Sequence, residues 1–276
     1  MHKLSRQIRF AIEPFADSSE TGSNSYCAKP TATGLALFFS LWVELESCAN
    51  PDTGFVVNVA DIDKIVRDKA ITIFSKFVKN RSSNSFEQIG QLLSRVWETI
   101  ENEFLPAKIN SLTLELMPAR KLAIKERDGK MLYFSEKFEF AASHTLWNAK
   151  FSDEENFKVF GKCANKCGHG HNYVVEVTVN PIRDEASETP DGRGKRPVSN
   201  GINAGDFERT VDKHFIQLVD HKNLNVDVKH FEKTNPTVEN IAEFAFKELA
   251  DKFEPLELDC VTVWENDRTF CNYRAD

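Results

Sequence analysis

An α+β fold is what this sequence predicts, made of two consecutive β-β-α-α-β-β units, each with an antiparallel sheet and helices on one face. Three features lead there. Apolar residues alternate at period two in runs rich in β-branched and aromatic side chains, which is strand patterning. Between those runs lie segments of helical spacing opened by Ser or Thr caps. The same succession then occurs twice along 276 residues, a length that suits two ordinary domains.

The elements can be taken in order, each beside its counterpart. Arg9-Phe10-Ala11-Ile12 is similar to Glu139-Phe140-Ala141-Ala142, and each is followed by an irregular polar segment. An alternating run opened by glycine comes next, Gly34 to Leu45 in the first half and Gly168 to Val179 in the second. Gly54-Phe55-Val56-Val57-Asn58-Val59-Ala60-Asp61 then stands where the second half has Gly201-Ile202-Asn203-Ala204-Gly205-Asp206-Phe207. Ser85 caps a helix that runs through Leu93, Val96 and Ile100, and Thr237 caps one through Phe244 and Leu249. Leu112 to Leu116 and Val261 to Glu265 supply the closing strands, each with a further short strand after it. The charged, glycine-containing stretch Glu126-Arg127-Asp128-Gly129-Lys130 places the boundary, giving domains 1–128 and 129–276. The polar segment from Asp184 to Arg196 reads as a hairpin loop.

The two copies differ in chemistry. Of seven histidines, all but His2 lie in the second half. Pro14 stands where His144 is, Leu35 and Leu37 where His169 and His171 are, and Leu116 where Glu265 is. Joint replacement of four polar residues on a retained apolar skeleton points to one site, present in one copy. Residues two apart on a strand project to the same face, so His169 and His171 present two imidazoles side by side, with Gly170 leaving room between them. His144, on the preceding strand, supplies a third across a hairpin-like pairing. Three histidines leave the fourth tetrahedral position open, the arrangement of catalytic zinc. A competing site, Cys163 and Cys167 with His169 and His171, would have to curl four ligands into nine residues of a chain entering a strand.

Composition narrows the function. A net charge of −7 gives no basic footprint for nucleic acid, though an anionic substrate could still meet a local positive pocket. No stretch approaches the roughly 18 apolar residues of a membrane helix, and the N-terminus lacks a signal-peptide pattern. A cytoplasmic protein is expected. Six cysteines are too sparse for a disulfide scaffold, so the clustered Cys163 and Cys167 suggest metal or catalysis.

These residues carry a resemblance. The segment Gly161 to Tyr173, with its Cys-x5-His-Gly-His-Asn-Tyr pattern, resembles that of the 6-pyruvoyl tetrahydropterin synthase family. So do Asp220-His221-Lys222-Asn223-Leu224, Asn235-Pro236-Thr237-Val238-Glu239-Asn240 and Val263-Trp264-Glu265-Asn266-Asp267, in that order over residues 134 to 274. The resemblance implies a tandem of the tunnelling fold whose first member is degenerate. It implies zinc on His144, His169 and His171, Cys163 as the catalytic acid or base, and Asp220 with His221 as its relay. It further implies that Glu265 anchors a pterin ring, with Thr237 and Glu239 lining the pocket. The activity implied is zinc-dependent conversion of 7,8-dihydroneopterin triphosphate with loss of triphosphate. Active sites between neighbouring domains are implied too, in rings that three tandem chains would complete as a homo-oligomeric pseudo-hexamer.

The chemistry is compatible with these roles. A cation near a thiol favours its thiolate, a carboxylate fixes the tautomer of a neighbouring imidazole, and a carboxylate can accept two parallel hydrogen bonds from a guanidine-like ring edge. Helix capping competes with ligand binding at Glu239, and the presence of Asp61 opposite Asp206 favours a structural role for that pair. Two rival functions remain. A 6-carboxytetrahydropterin synthase would use the same substrate and metal on the queuosine route, cleave a carbon–carbon bond and release acetaldehyde. Its cysteine typically stands nearer the histidine pair, as Cys-x3-His-Gly-His. The other rival is a pterin-binding or scaffolding protein without catalysis.

Overall fold

The structure, a computed structural model, describes residues 1–15, 32, 34–80, 85–181 and 202–275. The loop expected at Asp184 to Arg196 lies outside them. The described residues divide into two compact units, residues 1–134 and residues 135–181 with 202–275.

In the first unit β1 (His2–Ile12) and β2 (Leu37–Ser47) precede a helical layer, α1 (Val59–Ile65), a five-residue π turn and α2 (Ile71–Lys79), then α3 (Phe86–Ile100). β3 (Lys108–Met117) and β4 (Arg120–Lys125) follow. The sheet order is β1-β2-β3-β4, antiparallel throughout. Alternation decides which face is covered. Ile8, Phe10 and Ile12 of β1, Leu41, Val43 and Leu45 of β2, and Leu112 and Leu114 of β3 are buried. The ring of Phe74, on α2, meets Phe10 at 5.2 Å. Each such aromatic contributes about 1.5–3 kcal/mol by leaving water. The opposite face is polar and tied together: Gln7 donates to Ser40 and Glu115, and the Trp42 indole donates to Glu115. Ser85 caps α3 by accepting from the Gln88 N–H. Gly90 of that helix lies against Leu132, where a Cβ would come within 2.9 Å of the leucine side chain.

The second unit repeats the plan. β5 (Met131–His144) is followed by α4 (Asp153–Phe160), β6 (His169–Pro181), α5 (Ala204–Val211), another five-residue π turn and α6 (Gln217–Val219). Then come β7 (Lys222–Asn223), α7 (Leu224–Asp227), α8 (Val238–Leu249), β8 (Leu256–Asn266) and β9 (Thr269–Tyr273). The sheet order is β5-β6-β8-β9, with the short β7 parallel to β5. Tyr173, Val175 and Val177 of β6 with Val261 and Val263 of β8 are fully buried. Asn203 caps α5 and Asn58 caps α1, each with an aspartate in the first turn, Asp206 and Asp61. No helix among the described residues is long and apolar enough to cross a membrane.

The segment read as irregular between His144 and the second strand is in part helical. Ser152 and Glu155 form a reciprocal capping box that starts α4, satisfying two backbone donors at once. Its inward residue is Asn156, fully buried and donating to the carbonyls of Asn148, Phe151 and Ser152. A helix that buries an asparagine has little apolar periodicity to display.

Candidate active site

Two strand ends and one loop build the site. β5 ends on His144 and β6 begins on His169, so the histidines occupy the last turns of strand at one end of the sheet, on its helix-facing side. The chain enters β6 through Gly168, whose φ of +72° is in the left-handed region, and a Cβ there would stand 3.1 Å from the His144 carbonyl oxygen. Only glycine fits both the dihedral and the approach. β8 pairs with β6 through Val174 and Trp264, so Glu265 continues the face of Val261 and Val263 toward Tyr173 and the histidines. The loop before α8 brings the Pro236 carbonyl over the cluster.

The geometry fixes proton positions. His144 is 1% exposed, and its Nδ1 lies 2.7 Å from the Pro236 oxygen. A carbonyl can only accept, so Nδ1 carries the proton and Nε2 offers a lone pair. That Nε2 is 3.0 Å from Nε2 of His169, and one ring nitrogen from each of His144, His169 and His171 lies within 4.8 Å of the others. His169 Nδ1 and His171 Nε2 are buried without hydrogen-bond partners. Burial lowers the pKa of both His144 and His169, and the neighbouring imidazoles lower it further. His144 therefore turns its unprotonated Nε2 toward the ring nitrogens of the other two histidines. Donors around a tetrahedral zinc are separated by about 3.3 Å, so this set fits a zinc ion. Among the described residues it is the group of His, Cys, Asp and Glu side chains close enough to share one.

Glu265 places Oε1 3.4 Å from His171 Nε2 and 3.6 Å from His144 Nε2. Cys163 sits in the 3-10 turn Gly161–Ala164, and its carbonyl accepts from the Leu146 N–H in the strand-exit loop. Burial first and Glu265 second push its thiol pKa up. The protein's own groups thus oppose the thiolate, and a cation is needed to reverse that direction. Cys167 is exposed, and neither it nor Cys163 belongs to the histidine cluster, so the described residues do not form the curled Cys2His2 arrangement.

Asp220 and His221 are brought together as a pair, with His221 Nδ1 2.8 Å from Asp220 Oδ2. The other aspartate oxygen accepts from the Ala141 N–H, and that bond first and the His221 contact second lower its pKa. His221 has φ of +56° and an 83% exposed side chain, and its N–H donates to the Ala141 carbonyl. It opens with His171, Lys222 and Asn172 onto a cleft of about 450 Å³. No hydrogen bond links the pair to Cys163. Thr237 is half-buried and caps α8 by accepting from the Asn240 N–H, while Glu239 is exposed on the first turn. Asp206 pairs with Arg209 on its own helix.

Several supporting groups have no role in the sequence reading. The Asn225 amide accepts from the Thr145 N–H and donates to the Thr145 carbonyl, clamping the peptide just after His144. Asn235 accepts from the Trp147 N–H, and Asn240 donates to the Asn235 carbonyl, so the loop bearing Pro236 is held at both sides. The Tyr173 hydroxyl lies 3.5 Å from His144 Nδ1, and burial raises its pKa strongly. Such outer contacts orient metal-binding imidazoles.

Comparison with known proteins bears on the same residues. The family model for 6-pyruvoyl tetrahydropterin synthase matches residues 133–276, more than half of the chain. The 6-pyruvoyl tetrahydrobiopterin synthase of Homo sapiens is 36% identical over 142 residues, covering 51% of this chain and 90% of the human protein. That of Drosophila melanogaster is 32% identical over 144 residues, covering 52% and 79%. A solved structure of Caenorhabditis elegans 6-pyruvoyl tetrahydropterin synthase is 32% identical, covers 52% of this chain and 95% of that one, and has a TM-score of 0.43. Every motif that builds the cluster falls inside the matched residues, and the chain belongs to the 6-pyruvoyl tetrahydropterin synthase family.

Proposed function

We propose that this protein is a zinc-dependent lyase acting on 7,8-dihydroneopterin triphosphate, forming a 6-pyruvoyl tetrahydropterin with loss of triphosphate. The observation that carries the reading is the convergence of three imidazoles, one ring nitrogen of each within 4.8 Å of the others, in the half of the chain matched by the family model. His144, His169 and His171 would hold the metal. Bound zinc would supply Lewis acidity toward the side-chain oxygens of the pterin, making the adjacent C–H bonds more acidic.

The remaining roles belong to the chain's own side chains. Cys163 would exchange a proton with the activated side-chain carbon. Asp220 holds the Nδ1 side of His221 and leaves Nε2 to pass protons, from an exposed position suited to a site completed by a neighbouring domain. Glu265 would accept from the guanidine-like edge of the pterin, with Thr237 and Glu239 on the pocket wall. In this reading residues 129–276 form the catalytic domain and 1–128 a degenerate copy without a metal site. Three chains would complete the particle, in the cytoplasm.

The five-residue spacing between Cys163 and His169 favours this reaction over carbon–carbon cleavage. Incubation with the triphosphate is expected to yield the 6-pyruvoyl product, and release of acetaldehyde would assign the 6-carboxy route instead. Cys163→Ala is expected to lower turnover by about 10²–10⁴-fold while retaining zinc; unchanged turnover would remove Cys163 from the mechanism.

A further inference from the structure

His144 is held from both sides by one short piece of chain. On its N-terminal side β7 runs parallel to the end of β5, with Lys222 beside Ala142 and Asn223 beside Ser143. On its C-terminal side the Asn225 amide accepts from the Thr145 N–H at 2.8 Å and donates to the Thr145 carbonyl at 3.0 Å. One side chain thus does for Thr145 what a neighbouring strand does for a residue, satisfying its donor and its acceptor together. The same piece of chain begins with Asp220 and His221, and these too are fastened to β5. An Asp220 oxygen accepts from the Ala141 N–H at 2.9 Å, and the His221 N–H donates to the Ala141 carbonyl at 2.6 Å. The fastening holds His221 at a φ of +56°, in the left-handed region that a residue other than glycine rarely adopts. Fully buried Leu224 roots the piece in the core, and Asn225 is braced by donating its own N–H to Asn223 Oδ1 at 3.1 Å.

We propose that Asn225 is a positioning residue that joins the Asp220–His221 pair to the metal-binding end of β5, so that one framework places both the His144 imidazole and the relay. This rests on the zinc and relay roles proposed above and gives them a common mechanical cause. Asn225 lies outside the histidine cluster and acts through the peptide of Thr145, which follows His144 directly. Released from that clamp, the Thr145 N–H and carbonyl have to find other partners, and the end of β5 frays at the residue that carries the imidazole. Ser143 is paired with Asn223 and Thr145 is clamped by Asn225, so a shift at His144 is passed to His221 and a shift at His221 is passed back. Metal bound at the histidines would therefore tighten the relay, and by the same coupling an open relay segment would loosen the metal. Side-chain chemistry limits what can stand at the position. A leucine of similar size offers neither contact, and an aspartate keeps the acceptor but turns a second carboxylate oxygen toward the Thr145 carbonyl.

The test uses the full chain with zinc alone as the probe, and reads zinc affinity together with amide hydrogen exchange at His221, whose N–H is one of the ties. Asn225→Leu is expected to weaken zinc binding by about 10–100-fold, the usual cost of removing an outer support, and Asn225→Asp by less. In the unsubstituted chain, zinc at about ten times its dissociation constant is expected to slow His221 exchange by about tenfold, because opening of the tie and zinc binding exclude each other. In Asn225→Leu the same fractional zinc occupancy is expected to leave His221 exchange nearly unchanged, which a loss of stability alone does not produce. Asn225→Asp, read in the same way, carries the test if the leucine variant does not fold. Unaltered zinc affinity in these variants, with zinc binding still abolished by His144→Ala, overturns the positioning role and leaves the zinc reading standing. Zinc-dependent slowing of His221 that persists in full in them overturns the positioning role too. Zinc binding that survives His144→Ala overturns both.

Discussion

Phe10, Phe39 and Phe74 in the first unit form the same cluster as Phe140, Tyr173 and Phe215 in the second. Phe10 stacks on Phe39 at 5.4 Å and meets Phe74 at 70°, while Phe140 stacks on Tyr173 at 4.8 Å and meets Phe215 at 89°. The registers agree too. Leu41 pairs with Leu114 and Val43 with Leu112, as Val175 pairs with Val263 and Val177 with Val261. Moving outward along the strands from these matched positions, the copies part. β1 ends at Ile12 and β2 begins at Leu37, whereas β5 continues to His144 and β6 begins at His169. At that end the first unit has an exposed Leu35 and half-exposed Leu37, where the second has its imidazoles. The scaffold and the chemistry are therefore separable, since the core that folds each sheet stops short of the residues that differ. A site at that end can be present in one unit and absent from the other with the packing beneath it unchanged.

The sharpest test of that separation is His144→Ala. Removal of a proposed ligand is expected to weaken zinc binding by at least ~100-fold, beyond the 10–100-fold cost of outer-shell changes, and metal analysis of the purified chain reads it. Thermal unfolding of the first unit is expected to stay where it was.

Matched core truncations come next in size. Phe10→Ala and Phe140→Ala should each cost about 3–5 kcal/mol in denaturant unfolding. Phe140→Ala should also weaken metal binding, because Phe140 supports Tyr173, and Phe10→Ala should not. Equal metal affinity in the two variants would break the comparison.

Acid is expected to separate the units more gently. In the metal-free protein His144 is held below its ordinary pKa by burial, whereas in the unfolded chain it titrates near 6.5. Below about pH 6.5 the unfolded chain therefore takes up a proton that the folded chain refuses, and stability falls with acid by up to ~1.4 kcal/mol per pH unit for that proton. Above that pH both forms are neutral and the penalty vanishes. The first unit holds one histidine, the exposed His2, so calorimetry between pH 7.5 and 5.5 should show the loss in the second unit.

The smallest expected difference is between the helix caps. Asn58 accepts from the Ala60 N–H and Asn203 from the Asp206 N–H, each at an exposed position. Replacement of either by alanine should cost about 1 kcal/mol, nearly equally, if both copies kept their structural signals.

Much of this was legible in the sequence because it is local. Period-two runs, Ser85, Thr237 and the paired His169 and His171 are written within a few residues of each other. The supporting groups are not local. Pro236 meets His144 across 92 residues and Asn225 reaches Thr145 across 80, and backbone acceptors have no sequence signature at all. The α4 helix was missed for a different reason: its buried position is Asn156, which apolar spacing cannot reveal, although Ser152 and Glu155 spelled out its start. Glu265 was legible as a pocket carboxylate, but its approach to two imidazoles depends on strand register.

The hydrogen bond from His144 to the Pro236 carbonyl has an evolutionary consequence. Its acceptor is a peptide group, so no side-chain substitution at Pro236 itself removes the carbonyl or alters its polarity. Variation can reach it only by shifting the backbone, and the residues that prevent a shift are Asn235 and Asn240. Heritable tuning of this imidazole thus falls to two amides that lie outside the histidine cluster, and drift in them would shift its acceptor with all three histidines still in place.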